Sequence, residues 1–418
     1  MSKLRIISIT IALVVSACGG DPLHPIEIAG KTKEAAPGAG ESGGVAGGGG
    51  GEGQREEAEG ESESESEGEG EGEGDDAIGE GYEAVEVSDW GYRDGAFGGA
   101  LTSLDDDDPR CVGLAPPTVL VSSISAAAGL IVDGDAVISM TGVGLERFDL
   151  SAQTITLLDS GWGFDTVLAG GFVYFADVDL SLKRAAARGG RVERVVRETG
   201  VSGVVVAADV DDVYWTNQIN DAVTRHVIGT HGVSVVAETP GPFAMMIDDE
   251  NIYWVADWDT GMKMPRDGSS EPTVLFEVGA FYALAAGAEI VGGSVGALVH
   301  DDDDVFIGAH GFVGAIGKNG DHPRLLAVAN NPWAVGGIAV DDNYVYYTDY
   351  ADDAPSGSRP ALSRIERVRK AGGAAETVAC NLVGPTELVV TDGALTFLDL
   401  SDDLSDAWIK RVPVAPPR

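Results

Sequence analysis

The sequence predicts an all-β chain that folds as a seven-bladed β-propeller, closed by an N-terminal strand that completes the last blade. Three observations predict it. A strand pattern recurs seven times, no helical periodicity lies between the copies, and the last copy lacks a strand that is present before the first. The predicted organisation is a signal peptide over residues 1–17, a disordered acidic tether over 18–109 and the propeller over 110–418.

The repeat is defined by its second strand, in which an aliphatic residue precedes adjacent large apolar residues. The copies are Ala136–Ser139, Phe172–Phe175, Asp212–Trp215, Asn251–Trp254, Asp304–Ile307, Tyr344–Tyr347 and Ala394–Phe397. Successive copies lie 36 to 53 residues apart, close to the length of a four-stranded blade apart from two insertions. The other strands of a blade are typified by Gly337–Val340, Gly261–Pro265 and Pro272–Phe276. Turns rich in Asp and Gly join them.

The two ends of the repeat region predict how the ring closes. The final repeat supplies Glu387–Val390, Leu395–Leu398 and Trp408–Val412, and a fourth strand does not follow. Pro117–Val121, before the first repeat, matches fourth-strand copies such as Pro272–Phe276. We therefore expect this segment to pair with Trp408–Val412, because closure removes the exposed strand edges that an open array would present.

The first residues have the pattern of a bacterial secretory signal. Lys3 and Arg5 precede the apolar run Ile6–Val15, which is short for a membrane span. The residues that follow, Val15-Ser16-Ala17-Cys18, resemble the lipobox of bacterial lipoproteins, and this resemblance implies acylation of Cys18. The alternative is an ordinary cysteine beside a conventional cleavage site. The lipobox interpretation predicts a lipid-anchored protein of the cell envelope, at the outer membrane, facing the periplasm or the exterior.

The acidic tether carries much of the charge. Pro37–Gly81 consists almost entirely of Gly, Glu, Ser and Ala, with too little apolar surface to fold. Residues 19–108 hold 26 acidic and 4 basic side chains of a chain whose net charge is −41. A spacer that holds the propeller away from a bilayer is predicted, and compositional drift is the alternative. The charge disfavours nucleic acid and anionic headgroups as partners and favours cations or basic proteins.

Two copies of the repeat carry a family resemblance. Tyr214-Trp215-Thr216-Asn217 and Tyr346-Tyr347-Thr348-Asp349 resemble the YWTD-type repeats of low-density-lipoprotein-receptor-related proteins. They are more similar still to the propeller lipoproteins common in myxobacteria. The resemblance covers about residues 115–418. Receptor members of the wider family have six blades and bind proteins, so the seven repeats here depart from that pattern.

A binding face is expected where the loops after second strands meet the crossovers between blades. The predicted residues are Asp177, Asn217, Asp257, Asp349, Tyr350 and Asp399 from the loops, with Trp162, Phe243 and Trp333 from the crossovers. One interpretation is an acidic mouth rimmed by aromatic residues and suited to a cation or a basic partner. The alternative is structural, because acids at equivalent repeat positions are expected to bond backbone groups between blades.

The Asp runs and the histidines give only weak indications of a metal site or a catalytic site. The runs Asp301–Asp304 and Asp105–Asp108 raise a calcium hypothesis, but neither has the spacing of an EF-hand loop, and no cofactor is predicted. His300 or His310 could act as an acid or base, although no His-Glu-x-x-His pair or Gly-x-Ser-x-Gly elbow occurs.

The last two predictions concern the cysteines of the propeller region and the function of the protein. Cys111 and Cys380 lie near the closure point of the predicted ring, which raises the hypothesis of one disulfide in an oxidising compartment; the sequence leaves open whether the two pair. The predicted function is that of a monomeric lipoprotein whose propeller is a non-catalytic binding or scaffold module for a protein, peptide or glycan. The alternative is a propeller enzyme, a lyase or hydrolase, with its site in the central mouth.

Overall fold

The computed structural model describes residues 85–86, 109–125, 127–179, 181–196, 206–230, 232–285, 294–329, 335–350, 363–401 and 406–414. Cys18, Trp333, Asp105–Asp108 and the run Pro37–Gly81 lie outside the described residues. The predictions made for them therefore stay predictions.

The described chain is almost wholly strand. A 3₁₀ turn at Pro109–Cys111 and a helix, α1, at Val278–Leu284 are its helical elements. The strands in order are β1 Val85–Glu86, β2 Thr118–Ile124, β3 Ala128–Asp133, β4 Ala136–Thr141, β5 Gly144–Asp149, β6 Thr154–Asp159, β7 Gly163–Ala169, β8 Phe172–Asp177, β9 Leu182–Ala186, β10 Val192–Val196, β11 Val206–Ala208, β12 Asp212–Asn217, β13 Ala222–Val227, β14 Val233–Glu238, β15 Phe243–Ile247, β16 Asn251–Ala256, β17 Thr260–Pro265, β18 Thr273–Glu277, β19 Val295–His300, β20 Asp304–Ala309, β21 Phe312–Gly317, β22 Arg324–Val328, β23 Ile338–Val340, β24 Tyr344–Asp349, β25 Ser363–Arg369, β26 Glu376–Leu382, β27 Gly384–Thr391, β28 Ala394–Leu400 and β29 Ala407–Pro413.

These strands form seven antiparallel sheets arranged as a closed propeller. Blades 1 to 6 use four consecutive strands each, from β3–β6 to β23–β26, and blade 7 combines β27, β28 and β29 with β2. The first strand of each blade contacts the first strands of the next, and β27 contacts β3. In blade 7, Thr118 lies opposite Arg411 and Val121 opposite Ile409. The predicted fold and its closure by an N-terminal strand are confirmed.

Blade 1 has one more strand than the repeat predicts. Val85 and Glu86 form β1, which pairs antiparallel with Leu157 and Thr156 on the outer edge of β6. No structure was expected for this segment, which was counted with the tether. An outer blade edge presents unpaired N–H and C=O groups, so a nearby extended segment gains hydrogen bonds by adding to it.

The adjacent large residues of each second strand hold neighbouring blades together. Side chains alternate across a strand, so two in succession point to opposite faces of the blade. Trp215 packs with Tyr174 of blade 2, whereas Tyr214 packs with Trp254 of blade 4. Tyr253 of blade 4 in turn packs in one cluster with Val305 and Ile307 of blade 5. Each such buried side chain stabilises the fold by about 2 kcal/mol.

Five of the seven described inner strands have a local irregularity. The pairing between first and second strands shifts at Gly129, at Phe164–Asp165, at Ala244, at Gly296 and at Glu387–Leu388. Each shift is a bulge in a different inner strand. A bulge turns the strand's side chains away from the regular alternation, and here it lies beside the central channel.

A disulfide joins the rims of the last two blades. Cys111 and Cys380 are bonded, with Cα atoms 5.9 Å apart. Cys380 lies in β26, the outer strand of blade 6, and Cys111 ends the 3₁₀ turn that leads to β2. The bond therefore holds the segment that completes blade 7 against blade 6.

Candidate functional site

The face chosen from the sequence carries the loops after second strands and the crossovers between blades, and we name it the crossover face. Three of its predicted acids are buried in ion pairs with a base on the third strand of the same blade. Asp177 Oδ2 accepts a hydrogen bond from Lys183 Nζ at 2.5 Å, and Asp349 Oδ2 from Arg364 Nη2 at 3.0 Å. These carboxylates are positioned to stabilise blades rather than to meet a ligand.

Asp399 is the third acid of this kind and also ties two blades together. Its Oδ2 pairs with Lys410 Nζ, and both side chains are buried. Its Oδ1 accepts hydrogen bonds from the backbone N–H groups of Val383 and Gly384, each at 2.9 Å. Those residues form the crossover from blade 6, so this acid has the bonding that the structural alternative describes.

The remaining loop residues divide between structural and exposed positions. Asn217 is buried, and its Oδ1 accepts a hydrogen bond from Asn220 N at 3.1 Å. Tyr350 donates to the carbonyl oxygen of Pro385 at 2.7 Å, across blades 6 and 7. Asp257 is exposed to solvent.

Of the three aromatic residues predicted for the rim, Trp162 is exposed on the crossover face and Phe243 is buried. Trp162 is 42% exposed, and its ring lies edge-on to Phe164 with centroids 5.3 Å apart. Phe243 is buried, but it supports Trp258, which is 39% exposed, with ring centroids 4.4 Å apart. Sequence reasoning missed Phe164 and Trp258. Trp258 could have been found, since it directly follows Asp257 in a predicted loop, where a tryptophan has no core to enter.

Smaller apolar residues extend this rim over blades 1 to 3. They follow the second strands of those blades and are exposed: Val143, Val178 and Ile219. The loops of the same face also carry the exposed acids Asp179, Asp221, Asp257 and Asp259. Apolar side chains interspersed with carboxylates suit a partner that presents apolar and basic groups.

A cavity of about 1180 Å³ lies on the opposite face, which carries the turns between first and second strands and between third and fourth strands. We name it the turn face. Nine acidic side chains and four lysine or arginine side chains line the cavity. Arg266 Nη2 lies 3.3 Å from Asp212 Oδ2, and Arg324 Nη2 lies 2.6 Å from Asp304 Oδ2. Sequence reasoning did not predict this cavity, because its walls come from turns of four different blades.

Asp248 in this cavity gives a pH-dependent prediction. Burial alone raises its pKa, but hydrogen bonds from Lys318 Nζ and from the N–H groups of Glu250 and Asn251 outweigh burial and lower the pKa to about 2. Because its pKa is lower in the folded chain, the ionised Asp248 carboxylate stabilises the fold at pH values above its ordinary pKa of 3.8. This stabilisation is lost as the pH falls towards 2. We expect the loss to be about 2 kcal/mol.

The measurement is denaturant unfolding at pH 6, 4, 3 and 2. Asp248→Asn should lack this part of the acid loss, while Asp249→Asn, at the exposed neighbouring position, should retain it. Equal acid sensitivity of Asp248→Asn and wild type would contradict the assignment.

On the turn face, His300 and the run Asp301–Asp304 make hydrogen bonds with the backbone. The ring nitrogens of His300 lie 2.9 and 3.1 Å from the carbonyl oxygens of Asp301 and Ile247. His310 lies instead on the crossover face, in the loop after β20, and burial lowers its pKa. Asp301 Oδ1 accepts hydrogen bonds from the N–H groups of Asp303 and Asp304, as in an Asx turn. Within the described ranges, no three His, Cys, Asp or Glu side chains are grouped to hold a metal.

Comparisons with known proteins support the fold. No protein-family model matches the sequence, and a search of curated proteins finds no match. The extracellular domain assigned to a hybrid two-component system of B. thetaiotaomicron is similar, with a TM-score of 0.51, 9% identity, and coverage of 68% of this chain and 38% of that chain. At this identity the likeness concerns the fold alone.

Two further solved structures are similar at lower TM-scores. A chain of the nidogen/laminin complex has 16% identity and a TM-score of 0.40, over 55% of this chain and 85% of that chain. The computationally designed Ika8 protein has 15% identity and a TM-score of 0.47, over 71% of this chain and 98% of that chain. Among the residues that the structure describes, no helix is both long and apolar enough to cross a membrane.

Proposed function

We propose that this chain is a lipid-anchored, non-catalytic binding protein whose propeller holds a basic, apolar-containing segment of a protein partner on its crossover face. The observation that carries the proposal is the exposure of Trp162 and Trp258 on that face, within a rim of apolar loop residues. The other three described tryptophans, by contrast, lie within strands of the blades: Trp215, Trp254 and Trp408.

Exposed aromatic side chains favour a binding role on physical grounds. Large apolar side chains left in water cost free energy, and burying a tryptophan against a partner is often worth more than any other single contact. The carboxylates of Asp257 and Asp259 lie in the same loop as Trp258. They favour a basic partner over a neutral glycan, because a glycan gains nothing from their charge.

The anchoring part of the proposal comes from the sequence. The lipobox-like Val15–Cys18 and the acidic tether to residue 109 would place the propeller away from an outer-membrane surface, at the cell envelope. Membership of the YWTD-like propeller lipoproteins is proposed with it, on Tyr214–Asn217 and Tyr346–Asp349.

The test is selection of binding peptides from a displayed random library against the full chain, with affinities then measured by fluorescence anisotropy. We expect enrichment of peptides that combine aromatic or aliphatic residues with Lys and Arg. The variant Trp162→Ala/Trp258→Ala should weaken their binding roughly 10- to 100-fold, because each truncation removes a central apolar contact.

Matched controls are Val235→Ala and Val274→Ala, which remove exposed apolar residues from the outer strands β14 and β18. These should leave the affinity unchanged. Peptides that bind the double tryptophan variant as tightly as wild type would refute the crossover face. Loss of binding on Glu250→Gln/Asp303→Asn instead would move the site to the turn-face cavity.

A further inference from the structure

Side chains of blades 7 and 2 meet at Gly129, in the inner strand of blade 1. Glu387 Oε1 of blade 7 accepts a hydrogen bond from Gly129 N at 3.3 Å. Thr166 of blade 2 lies on the same glycine, since a Cβ placed there would be 2.4 Å from Thr166 Oγ1. Asp165 precedes Thr166 and accepts hydrogen bonds from the N–H groups of Thr166 and Val206, each at 2.8 Å.

Glu387 differs from the buried acids of the crossover face. It is 4% exposed, and among the described residues no lysine, arginine or histidine forms an ion pair with it. Asp177, Asp349 and Asp399 each have such a base. A carboxylate in this position lacks a compensating positive charge.

Thr166 provides an independent observation at the same point. The residue is 5% exposed, and its buried Oγ1 has no hydrogen-bond partner among the residues that the structure describes. Leaving a buried hydroxyl unbonded costs about 1–3 kcal/mol, so such a group normally has a ligand or water. Its oxygen lies against the same glycine whose N–H bonds Glu387.

We propose that Glu387, Asp165 and Thr166 hold a divalent, oxygen-preferring cation of the calcium class in the central channel. Two carboxylates balance the charge of such an ion, and the side-chain ligands offered are all oxygens, which hard cations prefer. The bulges at Asp165 and Glu387 place these side chains outside the regular alternation of their strands. Gly129 leaves room for them, because a side chain there would collide with Thr166.

The ion would link Glu387 of blade 7 to Asp165 and Thr166 of blade 2 across Gly129 of blade 1, and blade 7 is the blade that closes the ring. Binding only to the folded chain, it would stabilise the fold by mass action. This inference does not depend on the proposed partner of the crossover face.

The test is thermal unfolding of the full chain after exhaustive chelation, with and without millimolar CaCl₂. We expect calcium to raise the melting temperature of the wild type by roughly 5 °C, and magnesium to raise it less, since Mg²⁺ demands a more regular geometry. Glu387→Gln keeps the side-chain shape and should abolish the calcium shift. Equilibrium dialysis with radioactive calcium should show one bound ion fewer per chain in this variant.

Thr166→Val is the second variant, because it is isosteric and removes the hydroxyl alone; it should reduce the calcium shift. Glu250→Gln, in the turn-face cavity, is the matched control and should keep the full shift, which separates the channel from calcium held by surface acids. An equal calcium shift in wild type and Glu387→Gln would overturn the proposal. So would the absence of a shift in wild type at 5 mM CaCl₂, a concentration roughly five thousand times the Kd of a micromolar site.

Discussion

Replacing Lys410 by methionine is expected to lower the free energy of unfolding by about 3–5 kcal/mol. Lys410 is the base paired with Asp399, and both side chains are buried between strands β28 and β29. Removing the lysine leaves a buried carboxylate without its positive partner, while methionine keeps most of the apolar stem. Urea unfolding followed by circular dichroism measures the loss.

A double-mutant cycle separates the charge effect from packing. Asp399→Asn/Lys410→Met should recover part of the loss, because an asparagine oxygen can still accept hydrogen bonds from Val383 and Gly384. Arg194→Met is the matched control, since Arg194 and Asp179 are paired on the surface. It should cost less than about 1 kcal/mol. A loss at Lys410 no larger than the loss at Arg194 would disprove the assigned role.

Removing the disulfide with Cys111→Ser/Cys380→Ser should destabilise the propeller by about 4 kcal/mol. The two cysteines are 269 residues apart, so the bond greatly restricts the unfolded chain in the chain-entropy model. Reduction of the wild type should produce a similar loss. Guanidinium unfolding with and without reductant measures both.

The position of the bond makes a local prediction as well. It tethers the turn at Pro109–Cys111 to β26, so its loss should free β2 from β29 before the rest of the ring opens. Hydrogen exchange should therefore rise first over Thr118–Ile124. The single variant Cys111→Ser controls for reshuffling. Unchanged stability of the double variant would contradict this role of the disulfide. Free thiols in the exported wild-type protein, found by alkylation and mass measurement, would contradict it as well.

The blades could be predicted from the sequence because each repeat carries the same local pattern of strand and turn residues. Paired large residues such as Tyr253-Trp254 appear once per blade, since a strand between two neighbours must bury both of its faces. The strand missing from the end and present at the start was equally visible in the repeat count. Local pattern and topology therefore agree over the whole ring.

The site was only partly predictable for the opposite reason. Asp177, Asp349 and Asp399 look like ligands in the sequence, but their bases Lys183, Arg364 and Lys410 come from the next strand, and only pairing shows that each acid is already neutralised. Phe164 sits in a strand and is nevertheless exposed, because a bulge rotates that part of the strand.

The all-β propeller, its seven blades and the strand that closes it could be predicted from the sequence, because strand periodicity and repeat spacing are properties of contiguous residues. Which polar groups remain available depends on the three-dimensional arrangement of the blades. Glu387, Gly129 and Thr166 are far apart in the chain and meet because the ring brings blades 7, 1 and 2 together. Charge compensation depends on distances in space, and those distances exist only once the circle is closed.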